Sequence, residues 1–209
     1  SADERKKAPD FDALLIDIGA ENAEEAGKRV SRGDCAVFDS DSFRFGSGFV
    51  KSKAIDDRAG CLIMMDMING GLEYDAWYAF TVQEEVGTRG AKAAAFTIEP
   101  DIAVVLETTT ACDIAETSGA KRVCELGRGC VVSYMDRATI YDRELYQLAR
   151  STADKLGIAN QTKTLIAGGN DSGAIHVSRG GVRTCALSVP CRYCLLYTSP
   201  SPRDYAASR

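Results

Sequence analysis

Asp101-Ile-Ala-Val-Val-Leu106 is a continuous apolar run that ends on Glu107. A strand covered by helices on both faces reads this way, because no alternate position has to meet water. Upstream, residues 74–82 read as a second long strand, rich in aromatic and β-branched residues. Between them, the Ala-rich residues 89–96 read as a helix. Before both comes an apolar helix over 58–69, stopped by Gly70-Gly71. Downstream, residues 142–156 predict an amphipathic helix, 171–179 a short helix after Gly168-Gly169, and 184–189 another buried strand. Strands alternating with helices predict an α/β sandwich around a mainly parallel sheet.

The opening fifty residues have a different texture. Residues 11–18 read as a strand closed by Gly19, 21–30 as a helix, and 35–38, 42–45 and 48–54 as short strands broken by Gly, Ser and Asp. Residues 1–50 are therefore assigned to a β-rich unit too small to be a whole domain, and 51–193 to the α/β domain. At the other end the α/β rhythm stops. Cys194-Leu-Leu-Tyr-Thr-Ser-Pro-Ser-Pro-Arg-Asp204 resembles one reading frame of a transposase adapter used in sequencing libraries. Residues 194–209 are accordingly set aside as a non-native tail.

The chain has 209 residues, 45% hydrophobic and 26% charged, with a net charge of −5. That balance argues against nucleic acid or an anionic membrane as a partner, since both select clustered Lys and Arg. Runs such as 101–106 and 185–189 are far shorter than the ~20 residues of a membrane-spanning helix. The N-terminal Ser-Ala-Asp-Glu-Arg-Lys-Lys7 is charged and unlike a signal peptide. Most of the eight cysteines sit in apolar runs and read as small buried thiols of a reducing compartment, with the cytoplasm as the default. Cys191 and Cys194 form the only C-x-x-C, without a second pair to complete a zinc knuckle.

Three carboxylate groups fall where a strand ends or a helix begins, the place where open α/β sheets carry their sites. In Lys53-Ala-Ile-Asp56-Asp57-Arg58-Ala-Gly60, the Asp pair could cap the following helix or bind a metal. In Thr81-Val-Gln-Glu84-Glu85-Val-Gly87, two adjacent Glu follow a predicted buried strand, so they are either a solvated strand end or groups needing a partner. Adjacent residues of an extended chain point to opposite sides, so one carboxylate can bind metal while the other faces a separate target. Glu107 closes the central run and is either a site residue or a loop position. Hard carboxylates from three segments suit divalent metal binding, and two metals can share a bridging carboxylate.

The order and wording of these motifs resemble one family. Ala54-Ile-Asp-Asp-Arg-Ala-Gly60, Val82-Gln-Glu-Glu-Val-Gly87 with Arg89-Gly-Ala91, and Gly168-Gly-Asn-Asp-Ser-Gly-Ala-Ile-His176 are similar to segments of the glutamyl-aminopeptidase family of co-catalytic metallopeptidases. That family includes the tetrahedral and deblocking aminopeptidases and proteins once labelled cellulase M. Val189-Pro-Cys-Arg-Tyr193 also resembles its segment before the last ligand, and Asp17-Ile-Gly19 with Gly33-Asp34 its preceding β domain. The likeness covers about residues 1–193.

The resemblance implies a metallopeptidase-type α/β/α sandwich, residues 1–50 being a partial inserted domain used for oligomerisation. It implies Asp56 as the carboxylate bridging two Zn or Co ions, Glu85 and Glu107 as terminal metal ligands, and Glu84 as the general base. Members often carry Asp where this chain has Glu107. The family's two His ligands would lie upstream of the insert and after the Arg-Tyr segment, so the chain is expected to be a weakly active or inactive fragment. The single histidine, His176, is read as structural, and Asp171 as the cap of the helix that begins there. The expected reaction is removal of N-terminal residues from peptides with a free amino terminus. The expected assembly is a homo-oligomer built from dimers, up to a dodecameric shell. The alternatives are a non-catalytic metal-binding or assembly fragment, or a di-metal deacylase or carboxypeptidase.

Overall fold

A computed structural model describes residues 14–194, apart from Glu116 and Ser118. The first elements are slight. Helix α1 (Ala23–Gly27) starts where the Asn22 side chain accepts a hydrogen bond from the Glu25 amide, with Glu24 and Glu25 on its positive end. Strands β1 (Phe43–Phe45) and β2 (Phe49–Lys51) form an antiparallel hairpin, with Phe43, Phe45 and Phe49 in ring contact along it.

The α/β part begins with helix α2 (Ile55–Gly70), ended by Gly71 at φ 71°, a left-handed position that glycine adopts without steric cost. Helix α3 (Arg89–Ile98) leads into strand β3 (Ile102–Thr110). Strand β4 (Cys130–Val132), helix α4 (Arg143–Lys155), strand β5 (Asn160–Thr162), helix α5 (Ser172–Ile175) and strand β6 (Arg183–Cys191) complete the order. The sheet runs β3-β6-β4-β5. Strands β3 and β6 are parallel over nine residue pairs, Ile102↔Arg183 to Thr110↔Cys191; β4 is antiparallel to β6 and parallel to β5. The sheet is thus mixed, with two of its three pairings parallel.

Helices cover both faces. Val105 and its neighbour on β6, Ala186, form a core with Tyr141, and Ile175 of α5 packs on it. Helix α3 lies on α5, whereas α2 packs on β3 and β6 without comparable contact to either, which places it on the opposite face. A second core, of Ala111, Val123, Cys124 and Val131, sits beyond the C-terminal end of β3. This is the α/β/α arrangement that the sequence pattern predicts.

Several local expectations are corrected. Residues 14–18 form no strand: Leu15 is 95% exposed, and an apolar run without a partner strand has nothing to pair with. Residues 11–13 lie outside the described residues. Residues 35–38 are likewise irregular, and the helix expected over 21–30 shrinks to α1. Among the described residues, 74–82 are not a ladder strand, and β3, whose run reads as a central strand, is paired on one side only. The helix expected over 171–179 is the single turn of α5. The buried-thiol expectation holds for Cys124 and Cys185 but not for Cys35, which is exposed, or for Cys191 and Cys194, which are joined as a disulfide. The tail from residue 195 onward lies outside the described residues. No helix among them is long and apolar enough to cross a membrane.

Candidate metal centre

Chain direction gathers the acidic residues at one end of the molecule. Glu107 lies near the C-terminal end of β3. Asp56 and Asp57 open α2 with non-helical backbone (φ −82°, ψ 106° and φ −120°, ψ 53°), so the first turn is kinked and both carboxylates turn toward β3. Asp56, Asp57 and Glu107 each offer a carboxylate oxygen within 4.8 Å of the others. The Asp57 carboxylate also accepts a hydrogen bond from the Gly60 amide at 2.9 Å, so the capping alternative for the Asp pair holds for this residue. A Cβ at Gly60 would collide with the Asp57 carboxylate and force it to move.

Glu84 and Glu85 arrive from a separate loop. The amides of Gly87 and Thr88 donate to the Glu84 carbonyl, those of Arg89 and Gly90 to Gln83 and Val82, and this folds the segment back onto the start of α3. Glu84 is half-buried and Glu85 exposed. Both line the same cavity of about 880 Å3 as the trio. They also border a shallower depression of about 490 Å3 beside Ala138, Asn170 and Gly173, through which solvent reaches Glu84.

Burial first, and neighbouring carboxylates second, raise the proton affinity of Asp57, Glu84, Glu85 and Glu107. Burial pushes Asp57 up to about 6, aided by Asp56 and Asp171 and opposed by the Gly60 amide. Burial likewise pushes Glu84 up to about 7, with help from Glu85, Asp171, Asp56 and Asp57. Glu107 is raised furthest, by burial and then by sharing a hydrogen bond with Asp56. Glu85 is raised by burial and by Asp56. Three convergent, partly buried oxygen donors beside further carboxylates fit a hard divalent cation.

Of the sequence-derived residues, Asp56 and Glu107 are brought together, Glu84 and Glu85 border the same cavity, and Asp57 takes the third place beside the first two. Asp57 was visible in the sequence only as half of an Asp pair; the kink that turns it inward is a tertiary feature. Asp171 stands at the N-cap of α5, but its side chain makes no capping bond, contrary to expectation. It is 8% exposed and accepts a 2.6 Å bond from Thr81 Oγ1, ninety residues away, so the loop before α5 is tied to the segment before Glu84. His176 is not in the acidic group; its Nε2 meets the Ala138 carbonyl at 3.1 Å. A buried triad supports the same loop: Tyr141 donates to Asp136, and Asn170 Nδ2 donates to the Tyr141 hydroxyl at 3.1 Å.

Residues 1–208 match the family described as M42 glutamyl aminopeptidase. The lysyl aminopeptidase of Pyrococcus furiosus is 33% identical over 190 residues, 88% of this chain and 53% of that protein. A relative from Acetivibrio thermocellus is 41% identical over 182 residues, 86% of this chain and 54% of its own length. Among solved structures, an aminopeptidase from the archaeon Desulfurococcus kamchatkensis superposes with a TM-score of 0.83 at 31% identity, over 96% of this chain and 58% of that one. The chain therefore spans a little over half the length of the relatives it matches.

Proposed function

The chain belongs to the M42 glutamyl aminopeptidase family, and on that premise we propose that the whole protein is a metal-dependent aminopeptidase acting on peptides with a free amino terminus. The observation that carries this reading is the convergence of Asp56, Asp57 and Glu107 within 4.8 Å, beside a half-buried glutamate whose proton affinity lies near neutrality. Asp56 and Glu107 would hold cations, with Glu85 as a further ligand from the facing loop. Two Zn or Co ions suit the family, with Asp56 as the shared carboxylate. When bound, such ions polarise a carbonyl and make water more acidic.

The chain's own residues supply the proton chemistry. Glu84, whose proton affinity burial and the neighbouring carboxylates raise, takes a proton from the attacking water and returns it to the leaving amine as a general base. Asp171, anchored by Thr81, adds negative charge that keeps Glu84 basic. The backbone turn at Glu84 fixes the residue at the mouth of the depression lined by Asn170 and Gly173. A related protein of Pyrococcus horikoshii assembles into a tetrahedron or an octahedral shell; a homo-oligomer built from dimers is the parallel proposal here, with the cytoplasm as its place of work. Residues 1–50 would belong to the assembling unit. The 209 residues alone should hydrolyse substrate weakly at most.

A substrate panel tests the reading. Aminoacyl nitroanilides should be cleaved by the whole protein with Zn or Co, and their N-acetylated counterparts should not. Release of acyl groups or of C-terminal residues instead would favour a di-metal deacylase or carboxypeptidase and overturn the aminopeptidase assignment.

A further inference from the structure

Glu84 and Glu85 border two spaces, and these differ in what else they touch. The 880 Å3 cavity reaches Asp56, Asp57 and Glu107; the 490 Å3 depression is lined by none of them. What the depression holds therefore lies on the side of Glu84 remote from the acidic trio. Gly87, Ala138, Gly169, Gly173 and Ala174 make up most of its lining and offer no polar side chain. Gly173 is packed so closely that a Cβ there would come 2.8 Å from the Ala138 Cβ. The one amide side chain in the lining is that of Asn170.

Asn170 is 7% exposed and is fixed by its neighbours. Its Oδ1 accepts from the Ser172 amide at 2.9 Å, which orients the amide group. Its Nδ2 donates to the Tyr141 hydroxyl at 3.1 Å. That hydroxyl is free to accept because its own proton goes to Asp136, whose other oxygen takes the Ala138 and Thr139 amides at 2.8 Å each. A primary amide carries two N–H donors. Tyr141 Oη lies 3.1 Å from Nδ2 and 3.4 Å from Oδ1, so it takes the hydrogen on the oxygen side of the group. The other hydrogen has no acceptor among the described residues. A nearly buried donor, held rigid at the wall of a depression, calls for an acceptor from outside, since leaving such a bond unmade costs free energy.

We propose that Asn170 donates its free Nδ2 hydrogen to the first carbonyl oxygen beyond the bond being cut, with Tyr141 and Asp136 as its positioning residues. The proposal rests on the aminopeptidase reading, in which the carbonyl under attack lies at the acidic trio and Glu84 returns a proton to the leaving amine. The residue that carries this amine then extends past Glu84 into the depression, away from Asp56 and Glu107. A backbone carbonyl is the acceptor that every peptide presents there, whatever its side chain. A lining of glycine and alanine discriminates little among side chains, so the contact reads the peptide backbone. Asn170 thus favours peptides over arylamides and alkylamides, which lack that carbonyl.

The test is a cycle between enzyme and substrate, run on the whole protein with its bound metal quantified. An aminoacyl glycinamide carries the carbonyl in question; the propylamide of the same amino acid does not. Asn170→Ala should lower kcat/KM for the glycinamide by at least about fivefold more than for the propylamide, the worth of one neutral hydrogen bond. Asn170→Ser should shift the same ratio in the same direction. Its hydroxyl can still accept from the Ser172 amide, as serine does in such turns, so this variant serves where Asn170→Ala does not fold. Tyr141→Phe, which frees the Asn170 amide to turn, should move the ratio by a smaller factor. An equal loss on both substrates would make Asn170 a structural residue and overturn the proposal, as would an unchanged ratio in the folded variants. A wild-type protein that cleaves neither of these nor any other substrate with a free amino terminus would overturn the aminopeptidase reading itself, and this proposal with it.

Discussion

Adding a divalent cation to the metal-free chain should expel protons, and the structure sets how many. At pH 6.5 Glu84, with an affinity near 7, is about three-quarters protonated, and Asp57, near 6, about one-quarter. Glu107 is raised far enough to keep its proton through neutrality. The three groups thus store about two protons that a cation among them would displace, and release of between one and two is expected. At pH 8.5 Glu84 and Asp57 have already ionised, and the release should fall to about one. Calorimetric titration with Co or Zn in two buffers of different ionisation enthalpy counts these protons. Glu107→Gln should lower the count by about one at either pH. Cation binding with no proton release at pH 6.5, or an unchanged count in Glu107→Gln, would refute the placing of the cation at Glu107, beside Asp57 and Glu84.

Other outcomes follow from the same contacts. Because Asp57 and Glu84 have raised affinities, their contribution to stability is present below about pH 4 and is lost as pH rises through 6 to 7. Urea unfolding of the metal-free chain should therefore show more stability at pH 5 than at pH 8, by on the order of 1–2 kcal/mol once solvent screening is allowed for; saturating cation should erase the difference. Tyr141→Phe removes the donor to buried Asp136 and the acceptor for Asn170, and should cost about 2–3 kcal/mol in the same assay. A loss below about 0.5 kcal/mol would show that the triad does not hold the loop before α5. Gly90→Ala would drive a Cβ into the Val82 backbone, costing about 1–3 kcal/mol and displacing the turn that carries Glu84, visible as slowed turnover in the whole protein.

What the sequence made legible was mostly local. The helices now seen as α2, α3 and α4 followed from apolar spacing, Ala-rich composition and the Gly70-Gly71 stop; the structure adds that the Asp142 side chain caps α4 by accepting from the Leu145 amide at 3.0 Å. Strands β3 and β6 followed from unbroken apolar runs. Strands β4 and β5 did not, because each has only three residues, and Asn160-Gln-Thr162 is polar, drawn into the sheet through its pairing with β4. Residues 74–82 have the composition of a strand but find no ladder partner among the described residues; composition specifies a tendency and pairing decides it. At the site, Asp56, Glu84, Glu85 and Glu107 could be picked out because each ends or begins an element. The inward turn of Asp57 and the Thr81–Asp171 bond depend on contacts between distant segments, which no spacing announces.

The central claim is that Glu84 carries the proton in peptide hydrolysis at a cation site formed by its carboxylate neighbours. The most direct measurement is turnover of an aminoacyl nitroanilide by the whole protein and its Glu84→Gln variant, each with bound metal quantified. The account predicts a fall in kcat of at least about 100-fold with metal content unchanged. A variant that keeps its turnover would contradict the account, and one that loses its metal would make Glu84 a ligand and not the base.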